Sequence, residues 1–202
     1  MTATLLLASR NGKKLLELRR IAGALLPDLR VLGLDDVPPY DEVPESGATF
    51  AENALLKARE AVAHTGLAAV GDDSGLTVAA LNGMPGIFSA RWAGRHGDDQ
   101  ANLELLLGQL ADVPDDRLGA AFICAAALVT PRGDEHVVHG TMRGRLVREA
   151  KGDNGFGYDP IFLPEGEGVT AAQQTAEQKD AISHRGRAFR ELAPMIAAAL
   201  GP

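Results

Sequence analysis

Two adjacent carboxylates stand in Val70-Gly-Asp-Asp-Ser-Gly-Leu76, where a short apolar run, Ala68-Ala-Val70, meets a pair of glycines. Side chains alternate across an extended backbone, so Asp72 and Asp73 are expected to point in different directions. Two readings fit. In one, the segment is a turn in which Asp and Ser satisfy loose backbone N–H groups. In the other, one carboxylate holds a metal or a water while its neighbour braces the chain. Magnesium takes a few carboxylate oxygens together with waters and phosphates, which such a pair would supply beside a polyphosphate. An aspartate of pKa about 3.9 is a weak base at neutral pH. Proton abstraction there needs a metal-acidified water, or a pKa raised by burial or by the like-charged neighbour.

Four further polar clusters accompany this pair. Ser9-Arg10-Asn11-Gly12-Lys13-Lys14 reads as a strand-to-helix turn. The unpaired N–H groups and positive dipole end of a helix start suit an anion, and equally suit a plain N-cap with solvated lysines. No Gly-x4-Gly-Lys-Ser/Thr is present, which excludes a Walker-type loop. Glu45 lies in a loop with Asp41 and Glu42, ahead of a helix carrying Glu52, Asn53 and Lys57. Asn53 and Lys57 are spaced to share a helix face and reach one ligand. Glu52 is explained by capping. In Gly155-Phe156-Gly157-Tyr158-Asp159, glycines flank an aromatic ring that is free to stack on a flat ligand or simply to anchor the loop. Lys179 with Ser183-His184-Arg185 gathers donors near the start of the last helix, suited to a carbonyl or phosphate oxygen or to a solvated basic cap.

The elements that must hold these groups follow from pattern. Thr4–Ala8 is predicted as a buried strand, followed by a helix over about Asn11–Leu26 with Leu15, Leu18, Ile21, Ala22 and Leu25 at helical spacing. A strand is expected at Leu29–Leu34, an acidic Pro-rich loop at Asp35–Gly47, and a helix opened by a Thr49–Glu52 capping box that runs to His64. The Gly71–Gly75 segment is predicted as a turn before a strand at Leu76–Leu81. Asp98–Leu110 is predicted helical. Leu118–Thr130 and His136–Arg148 are predicted strands joined by a hairpin at Pro131–Asp134, with a short strand at Ile161–Leu163 and helical sequence over Ala171–Leu200. Interleaved elements early and a long hairpin late predict an α/β protein with a mixed sheet.

Bulk properties narrow the class. A length of 202 residues suits one domain or one domain of two lobes, and 46% apolar with 23% charged residues is ordinary for a soluble globular chain. A net charge of −7 argues against coating nucleic acid yet allows a small anionic ligand in a local basic group. Apolar runs are too short to cross a bilayer, no signal peptide is recognisable, and lone Cys124 reads as a buried hydrophobe of a reducing, cytoplasmic setting.

Taken in order, the five clusters closely resemble the inosine triphosphate pyrophosphatase family over Leu5 to about Arg190. The resemblance implies a long mixed sheet flanked by helices, two lobes with a substrate cleft between them, and a homodimer. It also implies Mg2+-dependent hydrolysis of ITP, dITP and XTP to the monophosphate and pyrophosphate. By position, Ser9 to Lys14 and Lys57 would hold phosphates, with Asn53, Ser74 and Arg91 beside the substrate. Glu45, Asp72 and Asp73 match the metal carboxylates, and Asp73 the proton acceptor. Phe156, Gly157, Tyr158 and Asp159 match the base-side loop, and Lys179, His184 and Arg185 the residues that read the base. Phe88 and Trp92 depart from the tyrosines more usual in the family and alter the packing around Arg91. Alternatives are a related pyrophosphatase for modified pyrimidine nucleotides and a nucleotide-binding regulator without turnover, which the presence of Asp73, Lys14 and Lys57 disfavours.

Overall fold

The computed structural model describes residues 3–41 and 43–200; Glu42 of the acidic loop lies outside them. In chain order the elements are β1 (Thr4–Leu7), α1 (Gly12–Leu25), β2 (Arg30–Leu32), α2 (Phe50–Thr65), β3 (Ala69–Val78) and α3 (Asp99–Gln109). They continue with β4 (Gly119–Val129), β5 (Glu135–Leu146), β6 (Phe162–Pro164), α4 (Ala176–Ile182) and α5 (His184–Leu200). Among the described residues, six strands form one sheet in the order β2-β1-β3-β4-β5-β6. β1 runs parallel to β2 and β3, with Leu5 opposite Val31 and Leu7 opposite Val70, while β6 is antiparallel to β5. The predicted mixed α/β sheet is therefore present.

One expectation is overturned. Gly71–Gly75 is not a turn between two strands but the middle of the ten-residue strand β3. Its glycines serve close approach: a Cβ on Gly71 would lie 2.2 Å from the Ala54 carbonyl oxygen of α2, and one on Gly75 would lie 2.3 Å from that of Gly86. A side chain at either position would push a backbone segment away. The helical sequence expected over Ala171–Leu200 is also interrupted. A 3-10 turn at Ala171–Gln173 precedes α4, capped by Thr175, and Ser183 is extended between α4 and α5. Residues such as Thr and Ser bond locally to backbone and so break helices where they cap them.

The chain divides into two compact units. The first comprises Met1–Asp73, Cys124–Gly140 and Arg185–Pro202. In it, β4 is buried on both faces. Cys124, Ala126 and Leu128 pack with Leu5, Leu7 and Val70 and with Leu18, Phe189 and Leu192 of α1 and α5, whereas Ala125, Ala127 and Val129 pack with Ala54 and Ala58 of α2. Strand alternation sorts the two sets. Burial, reinforced by the charge of Asp72, pushes the Cys124 thiol up to about 12, so it is the inert hydrophobe its apolar context predicts. The second unit comprises Ser74–Ile123 and Thr141–His184, around Leu76, Leu106, Phe122, Met142, Tyr158 and Phe162. Among the described residues no helix is long and apolar enough to cross a membrane.

Candidate active site

In the first unit, β3 presents Asp72 and Asp73 to different sets of neighbours, as strand alternation requires. Asp73, on one side, accepts from Asn53 Nδ2 at 3.0 Å and from Lys57 Nζ at 3.3 Å. The shared helix face of Asn53 and Lys57 thus converges on a carboxylate of the chain itself. Lys57 also meets Glu45 Oε1 at 2.5 Å and donates to the Asp72 carbonyl at 3.1 Å. The acidic loop reaches this point because Asn53 Oδ1 accepts the Gly47 N–H at 2.8 Å, two residues beyond Glu45. The start of α2 is fixed by Thr49 Oγ1, which accepts the Glu52 N–H at 3.1 Å. The Glu52 carboxylate accepts the Ala48 N–H at 2.7 Å, one residue earlier than a capping box would have it.

Asp72 is buried with a different set of cations. Its Oδ2 lies 3.1 Å from Lys14 Nζ and 3.5 Å from Arg185 Nε, and Arg185 Nη1 bonds Glu17 at 2.7 Å. Of the three carboxylates expected at a metal, then, Glu45 and Asp73 share one ammonium and Asp72 is placed with Lys14 and Arg185. Lys14 comes from the first turn of α1, where Asn11 is the N-cap: its Oδ1 accepts the N–H groups of Lys13 and Lys14 at 3.0 and 3.2 Å. Ser9 Oγ accepts the Asn11 N–H, and exposed Arg10 donates to the Tyr40 carbonyl at 2.6 Å, tying the turn to the acidic loop. Gly12 is the first residue of α1.

The electrostatics separate the two aspartates. Burial works against charge on Asp72, but Lys14, Arg185 and Lys57 outweigh it and hold the carboxyl well below the usual carboxylate range. For Asp73 burial is the larger influence and Glu45 adds to it, so its pKa is raised in spite of Lys57, Lys14 and Asn53. Burial also opposes charge on Lys57, yet Asp73, Asp72 and Glu45 together raise its pKa and keep it an ammonium. Among the described residues, no three His, Cys, Asp or Glu side chains form a ready metal cage. Glu45 and Asp73 nevertheless already close around a cation, the Lys57 ammonium. One or two carboxylates completed by substrate phosphates is the donor set that magnesium takes, and these residues fit it.

The second unit holds the other cluster. Lys179, buried at the C-terminal half of α4, pairs with buried Asp159 at 2.6 Å. Its Nζ lies 5.2 Å from the centroid of the half-buried Phe156 ring. Asp159 Oδ2 also accepts the Phe156 N–H at 2.8 Å, which closes the loop on itself. Gly155 has φ +74°, and a Cβ there would sit 2.1 Å from Asp159 Oδ2, so only glycine fits. Tyr158 is buried and donates to the Ser89 carbonyl at 2.9 Å. His184 stacks on Phe122, with ring centroids 5.0 Å apart and planes 12° from parallel. Arg91 lies over the ring of Phe88 at 5.3 Å, Trp92 donates to Gln109, and Ser74 follows Asp73 on β3.

A family profile described as the Ham1 family matches residues 5–195. The chain belongs to the Ham1 family. It is 62% identical over 197 residues to a dITP/XTP pyrophosphatase of Nocardia farcinica, covering 97% of this chain and 96% of that one. It is 59% identical to a dITP/XTP pyrophosphatase of Streptomyces coelicolor, covering 98% of each. A crystal structure of a nucleoside-triphosphatase / dITP/XTP pyrophosphatase from Mycobacterium abscessus is 60% identical and aligns with TM-score 0.76 over 95% of this chain and all of that one. The Staphylococcus aureus Ham1 protein is 38% identical and aligns with TM-score 0.85 over 96% and 98%.

Three residues that hold these groups, one in the first unit and two in the second, carry no expectation from the sequence. Glu17 orients Arg185 from α1, and a signal for it existed: a charged residue at helical spacing from Lys14 and Ile21, on the face that is buried. Ser89, whose hydroxyl accepts the Leu76 N–H at 2.9 Å, joins β3 to Tyr158. Asp99 accepts the Gly157 N–H at 3.1 Å from the first turn of α3. Neither of the last two carries any local pattern.

Proposed function

We propose that the chain hydrolyses dITP, XTP and ITP to the nucleoside monophosphate and pyrophosphate, clearing non-standard purine nucleotides from the pool. The names of its relatives support the substrate class, and one observation carries the chemistry: Asp73 is buried, raised in pKa, and oriented by Asn53 and Lys57. A carboxylate made more basic than usual by burial, and held in place by Asn53 and Lys57, is suited to take the proton of a water attacking the α-phosphorus. Glu45 and Asp73 would hold Mg2+, which when bound neutralises phosphate charge and acidifies water.

The remaining roles follow from partners. Lys14 and Lys57 hold phosphate oxygens and offset charge building on the leaving pyrophosphate, with the Ser9–Lys13 turn, Asn53, Ser74 and Arg91 completing the substrate contacts. Asp72 anchors Lys14 and Arg185. Phe156 stacks on the purine within the Gly157–Asp159 loop. Lys179, His184 and Arg185 read the base, with Lys179 and Arg185 oriented by Asp159 and Glu17. A 6-oxo purine presents an acceptor to such donors where adenine presents an amino group, and a mismatched base leaves buried polar groups unpaired. The form proposed is a cytoplasmic homodimer.

Phosphate release from dITP and XTP, assayed with and without added inorganic pyrophosphatase, tests the reaction. Signal only with the coupling enzyme is expected. Direct phosphate release, or none in either arm, overturns it.

A further inference from the structure

Three consecutive residues of the loop before β6 are tied down by three different partners. The Phe156 N–H is held by Asp159 within the loop, and the Tyr158 hydroxyl by the Ser89 carbonyl. The Gly157 N–H is held by Asp99 Oδ2 at 3.1 Å, from a residue 58 positions earlier. Asp99 is not needed to cap α3. That is done by Asp98, whose Oδ1 accepts the Ala101 N–H at 3.2 Å. Gly155 and Gly157 both have positive φ, 74° and 63°, and glycines leave a loop many alternative paths. A fixed external acceptor at Gly157 removes those paths. The Phe156 ring and the Asp159–Lys179 pair, on either side of Gly157, are then delivered in one geometry.

We propose that Asp99 is a positioning residue for nucleobase selection, holding the Gly157 N–H so that Phe156 and the Asp159–Lys179 pair meet the base in register. The inference rests on the function proposed above. It does not require Asp99 to touch the nucleotide.

Asp99→Ala and Asp99→Asn, the latter retaining an acceptor oxygen, are compared by steady-state kinetics on dITP and dGTP and by amide exchange at Gly157. In Asp99→Ala, kcat/KM for dITP is expected to fall about tenfold, the worth of one well-placed hydrogen bond, with most of the loss in KM. The preference for dITP over dGTP is expected to fall with it, and Gly157 to exchange faster. Asp99→Asn should restore all three. Unchanged preference together with unchanged exchange, or a loss confined to kcat, overturns the proposal. Should Asp99→Ala not fold, Asp99→Ser suits a helix start equally and is too short to reach Gly157, so the same comparison is made with it. Failure of the wild-type chain to hydrolyse dITP or XTP would refute the proposed function, while exchange at Gly157 would still report on the anchor.

Discussion

On Asp72 the fields of Lys14, Arg185 and Lys57 overcome the cost of burial, whereas on Asp73 burial prevails and Glu45 adds to it. Opposite shifts on adjacent residues make opposite predictions. A buried carboxylate with a raised pKa costs folding free energy when ionised, so Asp73→Asn should melt no lower than wild type at neutral pH. Its turnover of dITP should fall by about 10²–10⁴, the usual worth of a positioned base. A thermal melt beside the coupled assay checks both, and a stable variant with wild-type turnover would remove Asp73 from its role. Asp72 carries the other sign. Its pKa is lowered in the folded state, so the stability it contributes is complete above the unfolded value of about 4 and is lost as pH falls through the folded value. The difference in melting temperature between wild type and Asp72→Asn should therefore be full at neutral pH and close only in acid. A difference that shrank between about pH 8 and 6 would contradict this assignment. Arg185→Met leaves Glu17 and Asp72 buried without their shared guanidinium. Removing one partner of such a network costs about 3–5 kcal/mol, measurable by urea denaturation.

At the scale of elements, the proposed chemistry depends on how closely α2 lies against β3, since α2 carries Asn53 and Lys57. Gly71 sets that distance. Gly71→Ala places a methyl 2.2 Å from the Ala54 carbonyl and 3.0 Å from the Ala58 nitrogen, so the helix must shift. Overpacking of this kind costs about 1–3 kcal/mol, and kcat/KM should fall by more than stability alone explains, because the base is displaced. Gly66→Ala at the other end of α2 is the control. It strains a left-handed cap at φ +67° by about 1–2 kcal/mol and should leave kcat/KM intact. Equal kinetic effects of the two substitutions would show that the α2–β3 distance is not what matters. The same strand shows what a sequence can and cannot reveal. Apolar spacing located α1 and α3, capping and stop signals α2, and two strand runs about a turn the β4–β5 pair, each within a few residues, because those signals are local to one element. Gly-Asp-Asp-Ser-Gly imitates turn chemistry, and the cations that make a buried strand tolerable there come from α1, α2 and α5, distant in sequence. Asp99 and Ser89 went unseen for a related reason. Their partners are backbone groups, which leave no trace in residue type.

For the whole molecule the question is how a chain of net charge −7 accepts a polyanion. The answer lies in local fields: Lys14 and Lys57 are held within the first unit by carboxylates they also neutralise, so a triphosphate must compete with Asp72, Asp73 and Glu45 for them. A divalent cation shifts that competition, since it offsets substrate charge and offers Glu45 and Asp73 another counter-ion. Binding should thus be coupled to the metal. Calcium, used as a non-reactive divalent ion, with dITP at about 100 times Kd would add about 2.7 kcal/mol of stability. For a chain of this length that is a rise in melting temperature of roughly 5–10 °C. The rise should be much smaller with dITP and a chelator, where repulsion is unrelieved, and smaller again with calcium and dATP, where the base is wrong. Equal shifts with and without the divalent ion would mean that phosphates bind without displacing Lys57 from its carboxylates. Equal shifts with dITP and dATP would mean that selection operates after binding, in the chemical step, and that the donors around Asp159 and His184 do not discriminate in the ground state.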